Sequence, residues 1–450
     1  MARCVVSRSI CFACLAAALF TVSAKTPRVD AAPMTRPAVL QEDPQAIVPE
    51  PPKWSQDEII VQFKEGIDAN SGGDLIAQHQ CARVQTCEAG KCHLLKVPDS
   101  RTPEDMVTDF LEHSEVEYAE LNYQVRLFFT PDDPYFAYQW NLYNAANHGI
   151  NMEAAWGVET GDPKVIVAVI DTGVAYENYG VYKQAPDLAK TRFVAGYDFV
   201  SNDSHPNDDN GHGTHVTGTI AESTNNALGV AGIAFDCSIM PLKAMDSTGQ
   251  GDYFAISQAI YFAVKNGAKV ISLSLGAPGA STTLRNAVAN AYQNGVTVVC
   301  AAGNEYQNGN APNYPAAYDQ YCIAVGATRY DQQRAYYSNT GSYLDVVAPG
   351  GDMRVDQNLD GYPDGIVQQT FAVSPTDFAY YFFEGTSMAT PHVSGLAALL
   401  ISHGVTKPDD VRKAIQQTAV DLGPAGWDAQ YGWGLIDAAT SLQYFSAGGK

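Results

Sequence analysis

The sequence predicts an α/β fold with a mainly parallel central sheet, preceded by a small α+β domain. Three observations carry that prediction. The runs Lys164–Ile170, Val270–Leu275, Val296–Val299 and Ile323–Val325 are apolar and β-branched on both faces, as strands buried between helix layers require. Helix-like stretches separate them, the last opening at Ser387, running to about His403 and ending at Gly404. Upstream, residues 56–128 repeat a compact strand and helix order of their own.

In chain order, Arg3 and Arg8 precede an apolar run from Ser9 to Val22, and Val22-Ser23-Ala24 is a small-residue cleavage site. Residues 1–24 are therefore expected to be a secretory signal peptide, too short to span a membrane as a helix. No later stretch is long and apolar enough to cross one. Residues 25–55, rich in Pro, Ala and charge, are expected to form a linker. Then Glu58–Phe63 alternates as a strand, Gly73–His79 suggests a helix, and His93–Val97 a second strand. Thr102 and Pro103 supply the cap and first position of a helix to His113, and Val116–Tyr123 returns as a strand. The main domain is expected over 129–450, with no internal repeat.

The net charge is −22, and from Phe129 onward 15 Lys and Arg face 31 Asp and Glu. Such a surface disfavours nucleic acid and fits solvation or cation binding. Of nine cysteines, three fall in the signal segment. Cys81, Cys87 and Cys92 precede the main domain, and Cys237, Cys300 and Cys322 lie in it, so neither odd group forms a complete disulfide framework. Cys87 and Cys92 can pair across a turn. Cys300 and Cys322 either pair or remain buried thiols.

Three segments bear chemistry in one order: Val169-Ile170-Asp171-Thr172-Gly173, Asn210-Gly211-His212-Gly213-Thr214-His215-Val216, and Gly385-Thr386-Ser387-Met388-Ala389-Thr390-Pro391-His392. An acid that orients an imidazole, an imidazole that takes a proton and a hydroxyl that attacks make a nucleophilic hydrolase. A fourth segment, Ala301-Ala302-Gly303-Asn304-Glu305, follows a strand and offers the Asn304 amide to a developing oxyanion, beside the Ser387 N–H. In these motifs and their Asp, His, Ser order the chain resembles the subtilisin-like serine peptidases. His215 and His392 are expected to pack or cap. An α/β-hydrolase esterase would need Gly-x-Ser-x-Gly and the opposite order, and Ala389 stands at its last glycine. A non-enzymatic relative would lack one of the four residues.

The resemblance implies a three-layer α/β fold and an inhibitory propeptide over 56–128 that acts as intramolecular chaperone. It also implies a secreted, monomeric endopeptidase working through an acyl-enzyme on protein and peptide substrates. Gly249-Gln250-Gly251 and Ser274-Leu275-Gly276 match the edges between which a substrate lies as an added strand. Ala301, Ala302 and Gly303 would wall the main side-chain pocket, with Glu305 and Asn313 near its rim and base and Tyr253 and Ile256 near the fourth subsite. A broad preference for large apolar or aromatic residues follows. Arg126-Leu127-Phe128-Phe129-Thr130 would be cut after Phe128 or Phe129, placing an aromatic in that pocket.

Calcium is the expected ion. Asp356, Asn358, Asp360 and Asp364 alternate as in the first half of a calcium loop, with Gly361 after the third and the Tyr362 carbonyl between. By resemblance to thermitase-like members, Asp133, Asp187 and Asn226 with backbone oxygens near Leu228 and Val230 form a second set. Asp198 and Asp203 match a third only in part, because Ser201 replaces an acid.

Overall fold

The structure, a computed structural model, describes residues 32–33, 54–67, 69–87, 91–123, 129–143 and 148–446. The expected signal peptide, most of the linker and the junction 124–128 lie outside the described residues. A two-residue strand, β1 (Ala32–Pro33), precedes the first domain.

That domain runs β2 (Trp54–Phe63), α1 (Ala69–Gln78), β3 (Ala82–Cys87), β4 (Cys92–Lys96), α2 (Pro103–Leu111) and β5 (Val116–Tyr123). Its sheet is ordered β3-β4-β2-β5, antiparallel throughout. Strand β3 is not marked in the sequence, because its residues are almost all exposed and so lack an apolar face. Strand β2 begins at Trp54 because that residue still pairs with Tyr123 on β5. As expected, Thr102 caps α2: its Oγ1 accepts the Asp105 N–H, and Pro103 follows at the first position. Met106 and Phe110 on α2 then bury against Ile59, Val61 and Leu95, each worth about 1.5–3 kcal/mol relative to exposure.

The main domain continues with α3 (Met152–Trp156), β6 (Ile166–Asp171), β7 (Arg192–Phe193), β8 (Tyr197–Asp198), α4 (His212–Ala221) and β9 (Ser238–Lys243). Next come α5 (Tyr253–Lys265), β10 (Val270–Leu273), α6 (Thr282–Gln293), β11 (Thr297–Ala301), β12 (Ile323–Thr328) and β13 (Val346–Pro349). A hairpin, β14 (Ile366–Thr370) and β15 (Ala379–Phe383), leads into α7 (Thr386–Ser402), α8 (Pro408–Gln417) and α9 (Ala438–Ser446). Strand β1 pairs with the edge of β15.

The parallel sheet is ordered β13-β12-β11-β10-β6-β9-β7, with β8 also on β9. Every residue of β9 to β13 is buried, so both faces are covered, as the unalternating apolar runs predict. Helices α4 and α7 pack on each other, and α7 crosses β10 to β13. Helices α5 and α6 form a second packed pair. The strands' carboxyl ends thus deliver Asp171, Ser274 and the Ala301–Asn304 segment to one rim, where open α/β sheets bind ligands.

Candidate active site

Asp171 ends β6 with 1% of its surface exposed, and its Oδ1 lies 2.7 Å from His212 Nδ1. His212 is the first residue of α4, held there by backbone that only glycine tolerates. Gly211 before it has φ of 101°, and a Cβ on Gly213 after it would stand 2.1 Å from the Gly173 carbonyl oxygen. Burial disfavours the imidazolium, but the Asp171 carboxylate, and behind it that of Asp208, outweigh this and raise His212 above its ordinary 6.5. The carboxylate fixes one ring nitrogen, so the other can accept a proton.

Ser387 is the second residue of α7, where backbone N–H groups have no intrahelical acceptor. Its hydroxyl donates to the Ser274 carbonyl at 3.0 Å, and Ser274 Oγ donates to the Ser387 carbonyl at 2.8 Å. Asn304 approaches from the end of β11. Its Oδ1 accepts both the N–H and the hydroxyl of Thr386, each at 2.9 Å. With the carbonyl end of that amide tied, its Nδ2 faces the turn: the Cβ position of Gly385 is 3.6 Å from both Asn304 Nδ2 and Ser387 N. The four motif residues therefore converge on one rim.

The two expected edges flank them. Gly251 bridges antiparallel to Met245, and Gly249, with φ of 73°, closes the intervening turn by donating to Asp246. Across the rim Ser274 and Leu275 are buried, while Gly276 is exposed. A Cβ on Gly276 would lie 2.2 Å from Asn313 Nδ2, which donates to the Ala301 carbonyl at 3.0 Å. Gly303, at φ of 106°, donates to Thr386 Oγ1. Asn313 thus packs between Gly276 and the Ala301–Gly303 segment. Glu305 Oε2 accepts the Asn304 and Asn339 N–H groups, and Tyr253 donates to the Gly279 carbonyl.

The predicted calcium residues fall in three places, and in the partial third set Asp198 and Asp203 pair only through their backbones. Around 356–364, Asp356 accepts from Gly361, Asn358 donates to Asp360, and Asp364 accepts from the Gln357 N–H. Asp356 Oδ1 and Asp364 Oδ1 are buried with no protein partner. Burial, with Asp356 and Asp360 nearby, pushes Asp364 up to about 6. In the second place Asp133 accepts the Asn225 and Asn226 N–H groups, while Asp187, fully buried, accepts from Asn226, Val230 and Tyr380. Burial raises Asp187 to about 7. Among the described residues no three His, Cys, Asp or Glu side chains converge at metal-holding distance. The donors are nonetheless oxygen-rich, and two buried oxygens lack a partner, which fits a hard cation.

The other two motif histidines do not reach the rim. His215 Nε2 meets the Ile366 and Tyr381 carbonyls and the ring stacks on Phe383, while His392 lies between the Met388 carbonyl and Asn141. Burial lowers them to about 3 and 4, so both stay neutral. The six described cysteines are free: Cys87 and Cys92 face each other across β3 and β4, and Cys300 and Cys322 are buried thiols. Asp208, Thr172 and Lys243 also support the candidate active-site region, although no motif in the sequence marks their role. The first two tie the start of α4 to the end of β6, and Lys243 Nζ donates to the Thr172 carbonyl and Asp209.

Residues 162–434 match the Subtilase family (Peptidase_S8), and residues 42–122 match the fervidolysin N-terminal prodomain. The chain is 39% identical to a thermophilic serine proteinase of Bacillus sp. (strain AK1), over 84% of this chain and 86% of that one. It is 38% identical to thermitase of Thermoactinomyces vulgaris, over 70% of this chain and all of that one. A solved structure described as proteases from Pseudoalteromonas arctica superposes with a TM-score of 0.61 at 33% identity, covering 70% of this chain and 99% of that one. The chain belongs to the subtilase family of serine peptidases and carries an N-terminal prodomain.

Proposed function

We propose that the protein is a secreted endopeptidase of broad specificity, made as a zymogen, in which Asp171, His212 and Ser387 form the catalytic triad. The observation that carries this reading is the 2.7 Å contact between Asp171 Oδ1 and His212 Nδ1 at the rim that also holds Ser387. Rotation of the Ser387 side chain turns its hydroxyl from the Ser274 carbonyl to His212 Nε2. The imidazole takes the proton as Oγ bonds to the scissile carbonyl carbon. The resulting oxyanion is held by Asn304 Nδ2 and the Ser387 N–H. Collapse breaks the C–N bond, and His212 gives its proton to the departing amine. Water, deprotonated by the same imidazole, then releases the acid from the acyl-enzyme.

Substrate lies between Gly249–Gly251 and Ser274–Gly276, with its main side chain in the pocket walled by Ala301, Ala302 and Gly303. No dense set of unpaired acids lines it among the described residues, since Glu305 is engaged with Asn304 and Asn339, which favours large apolar or aromatic residues. Residues 56–128 act as the inhibitory propeptide of a peptidase spanning 129–450. Phe129 packs against Trp156 and Phe235, so cleavage after Phe128 leaves a packed N-terminus. Calcium would be held by Asp356, Asn358, Asp360 and Asp364, and by Asp133, Asp187 and Asn226, supplying structural charge compensation. Secretion rests on the Arg3 to Ala24 segment.

The test is the intact mass and N-terminus of the protein expressed with calcium, wild type beside Ser387→Ala. A wild type starting near Phe129, with the variant retaining its propeptide, supports nucleophile and autoprocessing together. Identical trimming of both assigns maturation to another protease, and no trimming of either overturns the zymogen reading.

A further inference from the structure

The carboxylate of Asp208 is fully buried and touches neither Ser387 nor the substrate edges, yet it binds five donors. Its Oδ1 accepts the Thr172 hydroxyl at 2.9 Å and the Asn210 and Gly211 N–H groups at 3.0 Å. Its Oδ2 accepts the N–H of Thr214 at 2.9 Å and its hydroxyl at 2.6 Å. These donors bracket the acid and the imidazole: Thr172 follows Asp171, Gly211 precedes His212, and Thr214 lies just beyond it.

Helix α4 needs this arrangement, because its N-cap is Gly211 and has no side chain. An N-cap side chain ordinarily satisfies one of the first amides. Here three residues from outside the helix do so. Asn210 Oδ1 takes the His212 N–H, Thr172 Oγ1 the Gly213 N–H, and Asp208 Oδ2 the Thr214 N–H. The Thr172 hydroxyl is the bridge, accepting from Gly213 while donating to Asp208. A negative charge at this end also suits the helix dipole.

We propose that Asp208 is a positioning residue for peptide hydrolysis, clasping the first turn of α4 to the end of β6 so that His212 is held on Asp171. The inference rests on the triad reading above. The groups acting on His212 are Asp171 from β6, Asp208 from the loop before α4 and His215 from α4 itself; Lys243 of β9, paired with Asp209, lies behind Thr172. Asp208 is the second carboxylate in that set that favours the imidazolium.

The test uses calcium-loaded enzyme whose precursors are matured by an immobilised copy of the wild type. Active sites are counted by a fluorophosphonate probe on Ser387, and kcat and KM on a soluble peptide are followed against pH. Asp208→Asn keeps the shape, removes the charge and turns an N–H₂ toward donors. Its kcat per labelled site should fall about tenfold or more, as small misplacements of reacting groups do, with KM nearly unchanged. The acid limb of kcat/KM should move to lower pH, which loss of packing alone would not cause. An unchanged kcat and an unmoved limb, with only a lower Tm, overturn the proposal. If Asp208→Asn does not fold, Thr172→Val deletes one arm of the clasp and keeps the charge. It should lower kcat and leave the limb in place, and an unchanged kcat there overturns the proposal equally. A wild type that the probe does not label instead refutes the triad reading, independently of Asp208.

Discussion

Ser274 and Ser387 exchange hydrogen bonds: each hydroxyl donates to the other's backbone carbonyl, at 2.8 Å and 3.0 Å. The cause lies one turn along α7. Pro391, four residues after Ser387 and inside the helix, has no N–H to give the Ser387 carbonyl. That carbonyl would be an orphan, and the Ser274 hydroxyl at the end of β10 fills the gap. The proline thus frees the attachment point that locks the candidate nucleophile to the candidate substrate-binding edge.

Ser274→Ala removes the donor and leaves a half-buried carbonyl unpaired. The expected cost is about 1–3 kcal/mol of stability. The Ser387 hydroxyl keeps its own acceptor, which is backbone, so labelling by a fluorophosphonate should persist. Chemical denaturation read beside the labelling rate checks both, and a stability loss within about 0.5 kcal/mol, the scatter of neutral surface changes, would count against the argument.

The Asn304 side chain is oriented by Thr386, through two bonds to one oxygen. Asn304→Ala should lower kcat by about 10²–10³ with KM little altered, the range that losing one oxyanion donor costs in subtilisin itself. Thr386→Val removes the hydroxyl bond to Asn304 and the acceptor of the Gly303 N–H but keeps the Thr386 N–H bond to Asn304, so a smaller fall in kcat is expected. Steady-state kinetics on one peptide separate the cases, and equal losses for the two variants would show that Thr386 does more than aim the amide.

Much of this was legible in the sequence, for physical reasons that particular segments show. Val116–Tyr123 alternates and forms a strand over those same residues, and Thr102-Pro103 starts a helix where a cap and a fixed φ belong. The β10 and β11 runs read as parallel strands because both their faces are buried. Strand β14 was not legible, since Gln368, Gln369 and Thr370 are buried yet polar and no hydrophobic period marks them. Asp208 was equally hidden. Within Asp208-Asp209-Asn210 it reads as solvated charge, and only the folded backbone shows five donors turned onto it.

Calcium removal should act through carboxylates that burial leaves uncompensated. Asp364 has an unpartnered buried oxygen near Asp356 and Asp360, and Asp187 is fully buried. Chelation should therefore lower Tm, and added calcium restore it by mass action. Asp364→Asn should shrink the calcium-dependent part of that Tm shift while raising the stability of the chelated protein, because one buried charge is gone. Calorimetry of both proteins with and without chelator checks this, and an equal calcium increment in the two would remove Asp364 from the site.

The proposed mechanism requires neutral His212, and its pKa is raised above 6.5 by Asp171, with Asp208 adding to the effect, despite the opposing cost of burial. The acid limb of kcat/KM should thus lie above the pH expected of a free imidazole. Asp171→Asn removes the largest raising influence, so the limb should move to lower pH while kcat falls on the order of 10⁴, the loss seen when a triad histidine loses its carboxylate partner. The same pair makes a prediction for stability. A histidine whose folded pKa is raised contributes stability that is fully present below its unfolded value and lost as pH rises through the folded one. The stability lost in Asp171→Asn through this charge pair should therefore be largest at acid pH, where the wild-type imidazole is charged, and should shrink toward alkaline pH. Denaturation of both proteins across that window, made inactive by Ser387→Ala to prevent self-digestion, decides it: a difference that grows with pH would contradict the pairing as the source.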